Sequence, residues 1–219
     1  EGDVKSSLID IEKNNNLKAL LHERFDWMNE YIKDGDVGIE VGAAAGFSKK
    51  FIKCKNFKIS DFSSHDHLDY KNIDAHNTNF EDNKFDFVIS SNMIHHLAFP
   101  MKFFDEMHRI LKKKGKLIIF DAHCSLILQI VLIIMKHEGF DFTKNVWSLD
   151  DPASKNKDLW EGNSAIPFLI FNDQNLFKEK LGEKFEIKYL VTCECLLFLN
   201  SGGVTSKTFY IPLNIFFLK

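Results

Sequence analysis

The feature that most constrains the fold of this chain is the run of residues 37–46. It reads Val-Gly-Ile-Glu-Val-Gly-Ala-Ala-Ala-Gly, an apolar segment that carries an acid near its end and continues into small residues. The apolar part is typical of a buried strand. Small residues are needed where a backbone bends sharply and lets a ligand approach without an intervening Cβ. The run therefore predicts an α/β fold with a ligand-binding turn between the first strand and the next helix.

The spacing of the small residues argues against a dinucleotide site. A dinucleotide fingerprint would place glycines at 42, 44 and 47, whereas the chain has Gly42, Ala44 and Phe47, with its next glycine at 46. A short-chain dehydrogenase would also need a tyrosine followed four residues later by lysine, and no tyrosine of this chain meets that condition. A nicotinamide-dependent dehydrogenase is therefore the weaker enzymatic hypothesis.

Predicted strands and helices alternate after this turn, as in a doubly wound sheet. Apolar runs predict strands at 57–61, 73–75, 85–91 and 116–121, and helical periodicity predicts helices at 17–33, 100–114 and 173–181. Acids lie at or near the ends of four strands, at Glu40, Asp61, Asp74 and Asp121. Because ligands of parallel α/β sheets bind at the carboxyl ends of the strands, these acids predict one shared site.

The predicted elements divide the chain into one domain with four parts. These are an N-terminal helical cap at 1–36, a ligand-binding core at 37–123, a lid or substrate region at 124–172, and a final helix with a strand pair at 173–219. A length of 219 residues suits a single domain of this kind. Residues 185–199 and 208–211 are the expected terminal strands.

The pattern acid-x-Gly-x-small-x-Gly at 40–46 resembles the first motif of class I S-adenosylmethionine-dependent methyltransferases, particularly those that act on quinones, natural products and sugars. The resemblance covers 37–123 firmly and the rest loosely. It implies an α/β, Rossmann-like, seven-stranded and mostly parallel sheet with an antiparallel terminal strand, helices on both faces and a lid after strand five. It also implies S-adenosyl-L-methionine as cofactor, S-adenosyl-L-homocysteine as product, and a small-molecule acceptor, first of all a hydroxyl oxygen.

By the same resemblance, the turn from Gly42 to Gly46 lies against the methionine portion of the cofactor, Asp61 holds the ribose, and Asp74 with Ala75 borders the adenine. The spacing supports Asp61 as well, because it follows Glu40 by 21 residues, near the interval of about 20 at which an acid reaches a ribose hydroxyl. The alternative for Asp61 is a solvated acid that merely ends a strand. The predicted cofactor-binding residues are Glu40, Gly42, Ala44, Gly46, Asp61, Asp74, Ala75 and Ser91.

A histidine pair after the strand at 85–91 is the candidate for catalysis. His95, with His96 beside it, and Asp121 match positions that assist the acceptor hydroxyl in some sugar O-methyltransferases of this family. A sulfonium already carries an activated methyl group, so an alcohol needs only alignment and a route for its proton. An imidazole can supply that route and a carboxylate can orient it. The alternative is that the histidines cap a helix entry and line a wet pocket, and His123 is a further candidate.

Composition and the remaining motifs exclude other classes of function. With 28 basic and 31 acidic residues the net charge is −3, which provides no electrostatic footprint for nucleic acid. No metal site is expected, because His65 and His67 lie in a polar loop and the four cysteines lack CxxC spacing. Buried free thiols indicate a reducing cytoplasm, and although the chain begins at Glu1, no export signal is visible.

Two further expectations concern the membrane and turnover. The apolar stretch 126–135 is well short of the roughly 20 residues of a membrane span, so core or lid packing is expected for it. Ala44 in place of the middle glycine, and the short crossover after Asp61, leave open a degenerate methyltransferase that binds a cofactor or partner without turnover. The oligomeric state and the acceptor are not determined by the sequence.

Overall fold

A four-stranded, fully parallel sheet forms the centre of the computed structural model, which describes residues 15–135, 138–154 and 162–193. Its strands are β1 (Val37–Val41), β2 (Asn56–Ser60), β3 (Phe85–Ser91) and β4 (Leu111–Phe120), in the order β2-β1-β3-β4. The chain moves outward from β1 in one direction and then returns to build β3 and β4 in the other. The crevice between the carboxyl ends of β1 and β3 is therefore a topological switch point, where open α/β sheets bind ligands.

Five α-helices are described. They are α1 (Asn15–Asp26), α2 (Pro100–Ile110), α3 (Leu126–Met135), α4 (Ile166–Phe171) and α5 (Gln174–Leu181). Helix α2 starts with Pro100, whose missing amide is harmless there. Helix α5 starts after Asp173, whose carboxylate accepts hydrogen bonds from the backbone N–H groups of Asn175 and Leu176.

Alternate residues of the central strands pack into two cores on opposite faces of the sheet. Val88 belongs to the core formed with α2, whereas Phe87 and Ile89 belong to the core formed with α1. This alternation follows from the two-residue period of a strand. The predicted α/β fold with a parallel sheet is therefore confirmed for the described part of the chain.

The predicted strand at 73–75 is wrong. An isolated parallel bridge between Ser60 and Tyr70 lies just before this segment. Residues 73–75 themselves form no strand and lead into a turn. Asp74 accepts a hydrogen bond from the backbone N–H of His76, and this local bond competes with strand pairing.

Three other predicted elements differ from the structure. The helix expected after Gly46 is a 3-10 helix of four residues, Phe47–Lys50. Helix α2 ends at Ile110 instead of 114, because Leu111 already pairs with Phe85 in the sheet. The predicted strand from 185 has no regular structure up to 193, and the remainder of the predicted terminal pair lies outside the described residues.

Helix α3 does not pack into the core, although core or lid packing was expected for it. Leu126, Ile130 and Ile134 are 76%, 58% and 75% exposed, which is unusual for a helix composed almost entirely of apolar residues. Among the described residues, no helix has both the length and the apolar character that a membrane crossing requires. The thiols of Cys54 and Cys124 are free and at least partly buried, whereas Cys193 is exposed rather than buried as expected.

Candidate active site

A cavity of about 160 Å³ lies beyond the carboxyl ends of β1 and β3. Its lining combines the buried carboxylate side chain of Glu40, the small-residue turn that follows it, and residues from the end of β3 and from α1. The lining residues are Leu21, Arg24, Phe25, Glu40, Gly42, Ala43, Ala44, Ala45, Phe47, Ser91 and Asn92. Of the predicted cofactor-binding residues, the cavity thus brings together Glu40, Gly42, Ala44 and Ser91.

The turn has a left-handed backbone at three positions. Gly42, Ala44 and Gly46 have φ angles of 71°, 42° and 69°. A Cβ on Gly42 would lie 2.3 Å from Cγ of Met93, so no larger residue fits there without displacing that side chain. Ala44 adopts the left-handed region despite its Cβ, at a cost of about 1 kcal/mol. Small residues are therefore required by both backbone conformation and close packing.

Glu40 is an acid enclosed at the edge of the cavity. Its side chain accepts a hydrogen bond from the Ser48 hydroxyl, and the residue is only 3% exposed. Burial raises the pKa of Glu40 to about 7, with the Ser48 hydrogen bond opposing the rise and the charge of Asp61 adding to it. A buried carboxylate of this kind is suited to a cationic ligand group, whose arrival would favour the ionised form.

The raised pKa of Glu40 predicts how stability depends on pH. Because the native state binds this proton more tightly than the unfolded state, the free energy of unfolding is expected to fall as pH rises from about 4.5 to 7. Glu40→Gln should remove up to about 3 kcal/mol of that decrease. Urea unfolding at pH 5 and pH 8 measures it, with the exposed acid Glu81 changed to Gln as control. An unchanged pH dependence in Glu40→Gln would contradict the burial argument.

Asp61 lies against the turn instead of ending its strand in bulk water. Its Oδ2 accepts a hydrogen bond of 2.8 Å from the backbone N–H of Ala44, and its Oδ1 accepts one of 2.8 Å from that of Ser63. His67 contacts the same turn, with Nε2 2.8 Å from the Ala44 carbonyl oxygen. The loop expected to be merely solvated at His65 and His67 thus braces the turn.

Asp74 and Ala75 do not line the cavity. The Asp74 side chain is 51% exposed and contacts Nδ1 of His76 at 2.8 Å. Ala75 packs at the edge of the core on the α2 face.

Arg24 is a cavity residue that the sequence interpretation missed. It is only 4% exposed, and its guanidinium carbon lies 4.7 Å from the centre of the Phe120 ring. The sequence did contain a signal for Arg24, because it shares the helical spacing of an apolar stripe. The stripe is formed by Leu17, Leu20, Leu21 and Met28. A charged residue on such a stripe is buried among apolar neighbours only where it has a specific partner.

A second cluster forms around the predicted catalytic residues. Nδ1 of His95 lies 2.5 Å from Oδ1 of Asp121, and Nε2 of His95 lies 3.1 Å from Oε2 of Glu138. Nε2 of His96 lies 3.6 Å from Oε1 of the same Glu138. The structure therefore unites His95, His96 and Asp121 and adds Glu138, which no motif indicated. His123 contacts Phe168 instead, with the rings tilted by 41° and their centres 5.4 Å apart.

The electrostatics of this cluster are set by two carboxylates around one imidazole. Burial by itself would lower the pKa of His95, but the charge of Asp121 and hydrogen bonds with Asp121 and Glu138 raise it to about 10. Burial likewise opposes ionisation of Asp121, but His95 and the N–H groups of Ile94 and Ala122 lower its pKa. With both carboxylates in contact, His95 is therefore held toward its protonated form and Asp121 toward its ionised form.

A family comparison decides what kind of domain surrounds this site. Residues 42–119 match a family model described as a methyltransferase domain. This segment is a class I methyltransferase domain. The predicted methyltransferase family is thereby confirmed for this segment, whereas its small-molecule type stays a prediction, and S-adenosyl-L-methionine is the cofactor of that family. No protein of curated function matches the chain significantly in sequence.

Solved structures with related architecture include three that are only distantly similar to this methyltransferase domain. An inferred methyltransferase bound to the Trm112 activator of Haloferax volcanii is 17% identical, with a TM-score of 0.37, over 51% of this chain and 54% of that one. The YcgJ protein of Bacillus subtilis is 15% identical, with a TM-score of 0.42 and coverages of 52% and 58%. An inferred S-adenosylmethionine-dependent methyltransferase of Methanococcus maripaludis is 20% identical, with a TM-score of 0.45 and coverages of 62% and 71%. The chain thus spans little more than half the length of the first two, and the domain assignment rests on the family match.

Proposed function

We propose that this protein binds S-adenosyl-L-methionine and transfers its methyl group to a small molecule, at a hydroxyl oxygen. The observation that carries the proposal is the cavity between β1 and β3, where buried Glu40 and the left-handed turn at 42–46 meet the end of β3. In the reaction the methyl group passes from sulfur to oxygen, the hydroxyl proton leaves, and S-adenosyl-L-homocysteine and a methyl ether result.

The cavity suits the methionine end of the cofactor. At about 160 Å³ it is smaller than the roughly 300 Å³ or more of complete ligand pockets, so it would hold one end of a longer molecule. Glu40 and Arg24 line it together and offer opposite charges. Glu40 would bind the ammonium group of the methionine portion, and Arg24 would bind its carboxylate, for which a guanidinium is well shaped.

Asp61 is assigned to the ribose. Each of its carboxylate oxygens already accepts one backbone N–H, and each retains a further lone pair for a ribose hydroxyl. Gly46 permits this close arrangement, because a Cβ there would lie 2.7 Å from Cδ1 of Ile59. For the adenine, Asp74 and Ala75 remain the candidates by family resemblance.

His95 and Asp121 are assigned to the acceptor side. The bound cofactor supplies an activated methyl group, and the chain must align a hydroxyl and take its proton. Asp121 holds the imidazole of His95 by its Nδ1 at 2.5 Å, which aims Nε2 away from Asp121. Nε2 would then hydrogen-bond the acceptor hydroxyl in place of Glu138. Loss of the Glu138 contact removes one of the two carboxylates that raise the pKa of His95, and the neutral imidazole is the form that can take the proton. His96 lies beside it as the alternative partner.

The first test is thermal stability with cofactor product. Saturating S-adenosyl-L-homocysteine, near 100 times its Kd, is expected to raise Tm by roughly 5–10 °C, whereas NADH should produce no shift. Asp61→Ala should abolish the shift, while Asp66→Ala in the same loop should keep it, because the Asp66 side chain is 97% exposed and paired with Lys71. No shift in the wild-type protein would contradict both catalysis and simple cofactor binding.

A degenerate methyltransferase fold that binds without turnover is the second candidate. The strained Ala44 and the four-residue 3-10 helix after Gly46 support it. Screening sugars, quinols and lipids with methyl-labelled cofactor separates the candidates, because cofactor binding without transfer to any class would favour the binding module. Quinols and lipids take precedence in that screen, since the exposed apolar helix α3 follows the active-site strand β4 closely.

The free thiols of Cys54 and Cys124 support a cytoplasmic location.

A further inference from the structure

Three potential metal ligands meet outside the cofactor cavity. They are one ring nitrogen each of His95 and His96 and a carboxylate oxygen of Glu138, all lying within 4.8 Å of one another. The two histidines belong to the 3-10 helix Ile94–His96 after β3, whereas Glu138 belongs to the segment after α3. The cluster therefore joins the core of the sheet to the region that follows its last strand.

Two of the separations in this cluster are close to those around a tetrahedral ion. With metal–ligand bonds of about 2.0–2.2 Å, ligand atoms of a tetrahedral Zn²⁺ site lie about 3.3 Å apart. Nε2 of His95 lies 3.1 Å from one oxygen of Glu138, and Nε2 of His96 lies 3.6 Å from the other. An ion shared by all three groups would require the Glu138 carboxylate to turn one oxygen toward both rings or to bind through both oxygens.

Asp121 holds the other ring nitrogen of His95, Nδ1. Metal-binding histidines usually donate their other ring N–H to a carboxylate, which fixes the ring and increases its basicity. Asp121 accepts such a hydrogen bond from His95, with 2.5 Å between its Oδ1 and Nδ1 of the ring. Asp121 is itself held by the backbone N–H groups of Met93, Ile94 and Ala122. Nε2 of His95 is thus directed by a support that is rigid before any ion arrives.

We propose that His95, His96 and Glu138 form a binding site for a Zn²⁺-type divalent cation, with Asp121 as the positioning residue. Two imidazoles and one carboxylate are a ligand set that Zn²⁺ accepts, and the fourth position is left for water or another ligand. The proposal does not depend on methyl transfer. A bound ion would occupy the Nε2 lone pair of His95 that the proposed proton route uses, so the two roles exclude each other at that atom.

Zinc binding by the chelator-treated full chain tests the proposal, with Zn²⁺ titrated in isothermal calorimetry. The wild-type protein is expected to bind one ion that Glu138→Gln and His96→Gln bind at least tenfold more weakly. Asp121→Asn should weaken binding by about 10–100-fold. His22→Gln is the matched control and should bind Zn²⁺ as the wild-type protein does. His22 is an exposed histidine that lies 3.9 Å from Asp26 and outside the cluster.

Two further measurements keep the outcome decisive. Circular dichroism melting curves establish that each variant is folded. Glu138→Gln and His96→Gln should keep the fold most easily, because these side chains are 18% and 22% exposed, whereas that of Asp121 is 2% exposed. Nine histidines and four cysteines will give weak background binding, so the difference between variants is the readout. Equal Zn²⁺ stoichiometry and affinity in the wild type, Glu138→Gln and His96→Gln would overturn the site. An intact Tm shift with S-adenosyl-L-homocysteine would then show that the cofactor proposal still stands.

Discussion

His95→Ala is expected to lower the rate of methyl transfer by about 100-fold or more, because positioned acid–base groups contribute about 10²–10⁴-fold. The Tm shift caused by S-adenosyl-L-homocysteine should remain, since His95 does not line the cofactor cavity. Rates are measured with an acceptor identified by the label screen and in the presence of a chelator, so that the imidazole itself is tested. His22→Ala, on an exposed helix surface, is the control.

This change also lowers stability, because it removes the charge partner of the buried Asp121. The Asp121 carboxylate still accepts hydrogen bonds from the N–H groups of Met93, Ile94 and Ala122, which offset part of that loss. A melting curve of His95→Ala is therefore measured beside its rate. Turnover at the wild-type rate in folded His95→Ala would contradict the proton route while leaving the domain assignment intact.

Gly38→Ala is expected to destabilise the protein by about 3 kcal/mol, near the upper end of ordinary overpacking effects. Gly38 of β1 pairs with Phe87 of β3, and a Cβ on Gly38 would lie 2.0 Å from Cζ of that ring. Phe87 is fully buried and stacked on Phe57 with 5.9 Å between ring centres. The ring therefore has no space into which it could turn.

Denaturant unfolding of three variants checks this packing argument. Gly38→Ala combined with Phe87→Leu should recover part of the lost stability, because leucine frees the volume that the new methyl group needs. Gly139→Ala is the control, since a Cβ there meets nothing within 4 Å. Wild-type stability of Gly38→Ala would mean that Phe87 is not held over this glycine.

Strand positions were the most predictable part of the fold. The strand predicted at 85–91 has the predicted bounds, and the apolar part of the run 37–46 is the strand Val37–Val41. The failures lie where local polar bonds or long-range pairing outweigh periodicity. Asp74 bonds to its own turn, so 73–75 is not a strand, and pairing of Leu111 with Phe85 ends α2 earlier than its charge pattern indicated.

The site residues also differ in how far the sequence predicted their positions. Glu40 lies near the end of β1 and Asp61 directly follows β2, so their position beside the turn was readable from spacing. Both contact the turn or its neighbours in the structure. Arg24 and Glu138 come from segments without a motif. Arg24 reaches the cavity because α1, which packs on one face of the sheet, also contributes to the cavity lining. Glu138 reaches His95 across more than forty residues of sequence.

What the sequence determined by itself was the parallel α/β core, the tight turn at 42–46 and the acids that follow the strands, because these depend on local backbone sterics and on the two-residue period of a strand. The tertiary structure alone decided which charges meet. Burial raises the pKa of Glu40, and the approach of Asp121 and Glu138 raises that of His95, because desolvation and Coulomb energy depend on distances between groups that lie far apart in the chain.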